Sequence, residues 1–188
     1  MEGVVNVLKP PGMTSSDVVT DVRRIFSMKR VGHTGTLDPG ASGVLPVCLG
    51  RATRLFDYLT DKKKEYYAEI SFGAETDTQD SYGEVVRSCD VRVSEKALRE
   101  TLVSFTGEQL QTVPLYAAVR VNGTPMYKLA RAGEAVEQKE RPVTVHALEL
   151  LARTGEQSFL LRVGCSRGTY VRALCSDIGK ALKTCAHR

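Results

Sequence analysis

The stretch RVGHTGTLDPGASG, Arg30 to Gly43, sets one histidine and one aspartate among four glycines, a proline and only two bulky aliphatics, Val31 and Leu37. It is too glycine-rich for a helix and too broken for a long strand, so it reads as a shaped loop. A single carboxylate there, Asp38, can serve as nucleophile or base without a metal, provided a cation keeps it ionised and in place. An isolated Asp-Pro more often caps or initiates a turn, and that reading competes. Arg172, after the RGTY turn, is either that cation or an ordinary surface arginine on the first turn of a helix. Tyr66 is either core packing or a ring on which a base stacks. Spacing alone leaves these alternatives open.

Other site chemistries lack their residues. The sequence holds no GxxxxGK[ST], no GxGxxG opening a helix and no GxSxG, which removes support for phosphate cradles and a nucleophile elbow. His33, His146 and His187 have no ligand-spaced partners, so no metal site is expected, and His146, inside a strand pattern, reads as structural. The five cysteines are widely spaced without a CxxC pair; this predicts buried, reduced thiols rather than a disulfide framework or a zinc site. Net charge is +4, and basic groups flank the candidate loops: Lys29-Arg30, Lys62-Lys63-Lys64, and Arg167 with Arg172. That distribution favours a phosphate-bearing ligand. No apolar run is long enough to span a bilayer and no signal-peptide core is present, so a cytoplasmic location is expected.

These residues need elements to position them. A strand is predicted over 3–8, stopped by Lys9-Pro10-Pro11-Gly12, then a helix to about Phe26. Ser15, Ser16 and Asp17 offer its cap, and Val18, Val19, Val22, Ile25 and Phe26 its apolar face. Residues 44–50 read as a strand, 52–60 as a helix, and 65–73 as a strand with Tyr66, Ala68, Ile70 and Phe72 on one face. A polar turn and a returning strand at EVVRS follow, then a Ser94-capped helix to Phe105. The Asn122-Gly123 turn, a helix ended by Gly133, two strands at PVTVHALELL and FLLRVGC, and a helix from Tyr170 to Lys183 complete the chain. Without regular strand–helix alternation the fold class is α+β around one mostly antiparallel sheet.

Five segments in order carry a resemblance: KPPGMTSSDVV, RVGHTGTLDPGASGVLPVCLGRATR, KKEYYAEISFGAETDTQDSYGEVV, VPLYAAVRVNGTPMYKLARAG and CSRGTYVRALCSDIG. Together they resemble the bacterial TruB family of tRNA pseudouridine synthases over essentially the whole chain. The resemblance implies the pseudouridine synthase fold for 1–188, with an RNA-gripping insertion around 114–133. It implies Asp38 as the catalytic carboxylate, Arg172 as its partner, Tyr66 stacked on the uracil and Tyr170 close by. His33 would hold open the place of the flipped nucleotide, and Lys9 would sit near the site in a mainly structural role. The implied substrate is the uridine at position 55 in the T-arm loop of tRNA. Neither cofactor, metal, membrane nor obligatory protein partner is implied, and a monomer is expected. Family members continue past the segment matching KALKTCAHR, so a C-terminally truncated chain is expected. Two alternatives stand beside this enzyme: an RNA-binding or RNA-folding module with little turnover, and a guide-RNA-dependent relative acting on ribosomal RNA. GHTG, GVLPVCLG and the 114–133 insertion disfavour the last.

Overall fold

β-branched residues in alternation and one capped amphipathic helix build the first of two units in the computed structural model, which describes residues 1–188. In this unit, Met1–Lys62, β1 (Gly3–Lys9), β2 (Val31–His33) and β3 (Gly43–Leu49) form an antiparallel sheet with β3 in the middle. α1 (Ser15–Ile25) covers it, packing Val18, Val19 and Val22 onto Leu45, Val47 and Val31. A 3₁₀ segment over Gly50–Leu55 runs into the short α2 (Phe56–Thr60).

Three local expectations change here. The cap of α1 is Thr14, whose hydroxyl accepts from the Asp17 N–H while the Asp17 carboxylate accepts from the Thr14 N–H; this reciprocal box satisfies two otherwise orphaned donors. Ser15 is thereby released for another task. Ile25, expected on the apolar face, is 69% exposed, while Phe26 and Met28 just after it pack against the sheet's cluster. The glycine-rich stretch also starts as strand β2, so the shaped loop is confined to 34–42.

The second unit, Lys63–Arg188, contains β4 (Lys64–Phe72), β5 (Ala74–Thr76), β6 (Val85–Ser88), α3 (Glu95–Ser104), β7 (Gly107–Thr112), β8 (Arg120–Val121), β9 (Thr124–Pro125), α4 (Met126–Arg131), β10 (Glu140–Arg153), β11 (Ser158–Cys165), α5 (Val171–Ala181) and β12 (Ala186–His187). Its main sheet has the order β12-β4-β11-β10-β7, all antiparallel, with β5–β6 and β8–β9 as separate hairpins. α3 and α5 cover one face, where Leu98, Leu174 and Ile178 meet Ile70, Leu161 and Val163. The opposite face carries Arg162 bridging Glu65 (2.7 Å) and Glu149 (2.9 Å) across three strands. Those carboxylates raise the Arg162 pKa above its ordinary value. Strand β7 was not anticipated, since GEQLQT lacks the apolar alternation that marks a strand. The α+β class and the mostly antiparallel central sheet both hold; the second unit carries that sheet, and the first unit adds a three-stranded sheet of its own.

The cysteine expectation is corrected. Cys89 and Cys185 form a disulfide, with Cα atoms 5.5 Å apart across 96 residues of sequence. Spacing rules see only local pairs; here Cys185, just before β12, and Cys89, just after β6, both hydrogen-bond Gly73 through their backbones. Cys48, Cys165 and Cys175 are buried free thiols, as expected. No helix is long and apolar enough to cross a membrane.

Candidate functional site

Asp38 owes its position to three neighbours within its own unit. Lys9 is fully buried at the end of β1 and spends its ammonium on three carbonyls: Met13 (2.7 Å), Pro10 (2.9 Å) and Pro39 (3.2 Å). Ser15, freed from capping, donates to the Leu37 carbonyl (3.2 Å) and accepts from the Leu37 N–H (3.0 Å). The Gly12 N–H donates to the Pro39 carbonyl at 2.8 Å. The residues on both sides of Asp38 are therefore fixed to the KPPG turn and to the start of α1. Burial lowers the Lys9 pKa, and the Asp38 and Asp17 carboxylates oppose that shift. This carboxylate stands half-buried on a clamped loop beside a buried cation, and the turn that Asp-Pro predicts is present too, with the Ala41 N–H donating to the Asp38 carbonyl at 3.0 Å.

His33 ends β2, half-buried. Burial lowers its pKa, with the Gly35 carbonyl opposing, so the ring is neutral at pH 7. A flat neutral imidazole is suited to packing against a base rather than to binding phosphate.

The second unit carries Tyr66, Tyr170 and Arg172. Tyr66 lies on the core-facing side of β4, partly buried against the main cluster. Tyr170 directly precedes α5, and Arg172 stands on that helix's first turn. The surface-arginine alternative is excluded, since Arg172 is only 5% exposed. Its Nη2 donates to the Tyr116 carbonyl (2.9 Å) and its Nη1 to the Thr78 carbonyl (3.2 Å). The guanidiniums of Arg172 and Arg141 each lie 5.8 Å from the Tyr170 ring centre, within cation–π range.

Four supports escaped sequence reasoning. Gln111 is 2% exposed; its amide accepts from the Tyr170 N–H (2.8 Å) and donates to the Tyr170 carbonyl (3.0 Å). Asp80 builds the turn that offers Thr78, accepting from the Thr78 hydroxyl (2.8 Å) and the Tyr82 N–H (3.1 Å). Gly83 closes that turn so tightly that a Cβ would stand 2.2 Å from the Thr78 hydroxyl and 3.0 Å from its backbone nitrogen. The Tyr116 hydroxyl donates to Asp77 (3.0 Å), which raises the tyrosine's pKa and ties the expected insertion to the β5–β6 turn. Only Gly83 had a signal in the sequence, as the glycine ending TDTQDSYG.

The structure thus groups Lys9 and Asp38 in the first unit, and Tyr170 with Arg172 in the second. The sequence model described as TruB family pseudouridylate synthase (N terminal domain) matches residues 23–171. The chain belongs to the TruB family. This TruB-family chain is 51% identical over 188 residues to the tRNA pseudouridine synthase B of Caldanaerobacter subterraneus subsp. tengcongensis, covering 100% of the chain and 66% of that relative. To the protein of the same name in Alkaliphilus oremlandii it is 48% identical over 182 residues, covering 97% and 60%. The TruB-family chain therefore spans less than two thirds of the length of these relatives. Among solved structures it is similar to a Cbf5-Nop10-Gar1 complex, with TM-score 0.75, 34% identity and coverage of 98% of this chain and 46% of the other. It is also similar to an H/ACA RNP bound to a substrate RNA containing 2'-deoxyuridine, with TM-score 0.70, 32% identity and coverage of 98% and 44%.

Proposed function

We propose that this chain isomerises uridine to pseudouridine in the T-arm loop of tRNA, at position 55, as a stand-alone cytoplasmic monomer. The observation that carries the reading is the clamped Asp38 loop in a TruB-family sequence, whose relatives are named tRNA pseudouridine synthase B. The reaction breaks the N1–C1′ bond and joins C5 to C1′; N1 gains a proton and C5 loses one, so no electrons enter or leave. The uracil must detach, turn and reattach, which a stacked loop forbids, so the nucleotide is flipped out.

Each residue then has a task. His33 fills the place the nucleotide vacates, with no charge to neutralise. Tyr66 offers a ring face for the uracil, and Tyr170 lines the site beside it. Asp38 attacks C1′ or removes the 2′ proton; both routes need the carboxylate ionised, and the resemblance to the TruB family gives Arg172 as the cation for that task. Lys9 holds the loop rather than the substrate. The insertion around 114–133 grips the T-loop through shape.

Tritium release from 5-labelled uridine in a T-arm stem-loop tests this directly. Wild type turns over, and Asp38→Asn loses about three orders of magnitude or more because the carboxylate itself makes or breaks bonds. Survival of turnover in Asp38→Asn overturns the assignment. Tight T-arm binding without turnover in the wild type selects the RNA-binding module instead.

A further inference from the structure

The fold's one disulfide lies outside the site described above yet is connected to it. Around Cys89–Cys185 the C-terminal segment is stitched to the β5–β6 hairpin. The Gly73 N–H donates to the Cys185 carbonyl and the Cys89 N–H to the Gly73 carbonyl, both at 2.9 Å. His187 Nδ1 lies 3.0 Å from the Ala74 carbonyl. Arg188 donates its N–H to the Gln79 carbonyl (3.1 Å) and accepts from the Ser81 N–H (2.9 Å). That same turn presents the Thr78 carbonyl to Arg172.

The two sulfurs are not equivalent. Cys185 is 1% exposed, whereas Cys89 is half-buried directly after β6, all four of whose residues face solvent. Arg87 Nε donates to Cys185 Sγ at 3.2 Å, and the Glu75 carboxylate lies 3.3 Å from the same Nε. An incoming thiolate reaches Cys89 and expels the Cys185 sulfur, and a guanidinium at that sulfur favours its departure as thiolate. We propose that Cys89–Cys185 is a thiol–disulfide exchange site for a dithiol reductant, with Arg87 stabilising the leaving Cys185 thiolate, and that its redox state sets the order of the turn holding Arg172.

The chemistry balances. The reductant's first thiolate bonds to Cys89 Sγ as the Cys89–Cys185 bond breaks and Cys185 leaves with the electron pair. The reductant's second thiol then attacks its own sulfur of the mixed disulfide, releasing Cys89. Two electrons pass to the protein, the released thiolates take up two protons, and the reductant ends as a cyclic disulfide. The remaining thiols do not compete. Burial pushes Cys175 up to about 12 and raises Cys165 and Cys48, so little of any is thiolate at neutral pH. Disulfides in reducing compartments are characteristically transient and redox-sensing. What the switch does to catalysis rests on the proposed role of Arg172; the exchange itself does not.

Dithiothreitol in reduced-to-oxidised ratios, read by alkylation and mass, titrates the pair, and hydrogen exchange reads the hairpin. The expected result is a single two-electron transition, with amides over 74–83 exchanging about tenfold faster once reduced. Cys89→Ser and Cys89→Ala should match the reduced wild type and ignore reductant. Arg87→Leu should slow reduction by about fivefold. Two free thiols in excess oxidised dithiothreitol, or hairpin exchange indifferent to redox state, overturns the proposal, and an unchanged rate in Arg87→Leu overturns the role of Arg87. Pseudouridine formation measured in both states separates the two ideas: no turnover in either rejects the synthase reading, while the exchange data still decide the switch.

Discussion

Gln111 shows how one buried amide can place a candidate site residue. Both of its hydrogen bonds go to the backbone of Tyr170, the residue that leads into α5 and Arg172. Replacing it with Leu keeps the volume and strands the Tyr170 N–H, while the carbonyl keeps its bond from the Leu174 N–H. We expect Gln111→Leu to lower stability by about 2 kcal/mol in urea unfolding, the cost of one orphaned buried donor and two lost bonds. On the proposed roles of Tyr170 and Arg172 it should also reduce turnover more than RNA binding, because the lost bonds are those that place Tyr170 and the start of α5. His33 makes a prediction of the opposite kind, about protons. Its folded pKa is lowered below the ordinary 6.5, so as pH falls through 6.5 the unfolded chain takes up a proton that the folded chain resists. The stability present above pH 6.5 is then lost as pH falls toward the folded value. Urea midpoints measured across that window should decline for wild type, and His33→Phe should remove this residue's part of the slope.

At the scale of elements, the sequence made most of the frame legible where periodicity was strong. β4 and β11 alternate cleanly, α3 is capped by Ser94 and α4 stops before Gly133, all as their residues predict. Illegibility came from two sources. Edge strand β7 is polar because only Gln111 and its neighbours on one face meet the core, so no period appears. Thr14, Ser15 and Ser16 are chemically similar at the start of α1, and only the loop at Leu37 decides which caps and which clamps. The candidate site divides in the same way: Asp38 and Arg172 are expected from motifs, whereas the carbonyl and amide supports around them come from segments distant in sequence. Gly179 belongs with these hidden constraints. In mid-helix an alanine is favoured by about 1 kcal/mol, yet here its Cβ would stand 2.6 Å from the Ala186 Cβ and 2.9 Å from the Ala186 backbone nitrogen. Overpacking of that kind costs about 1–3 kcal/mol. The backbone cannot swing aside as a flexible side chain would, so Gly179→Ala is expected to be net destabilising in thermal unfolding and to raise hydrogen exchange in β12.

The whole molecule carries +4 net charge, with 26 basic against 22 acidic residues, too small an excess to hold a polyanion through bulk attraction. Local density matters more, and Lys62 and Lys63 are consecutive exposed lysines where the first unit ends and the second begins. If they meet phosphate, each displaces a condensed counterion, and that contribution disappears from the salt dependence when the charge is removed. Lys63→Ala should therefore weaken T-arm binding only mildly at physiological salt. It should also flatten the plot of log affinity against log salt by about 0.7–0.9 per lost contact, with turnover at saturating RNA unchanged. The solvated-surface alternative makes a different prediction: affinity and salt slope both equal to wild type. Measuring the slope over several salt concentrations, rather than one dissociation constant, is what separates a phosphate contact from a lysine that merely keeps the surface wet.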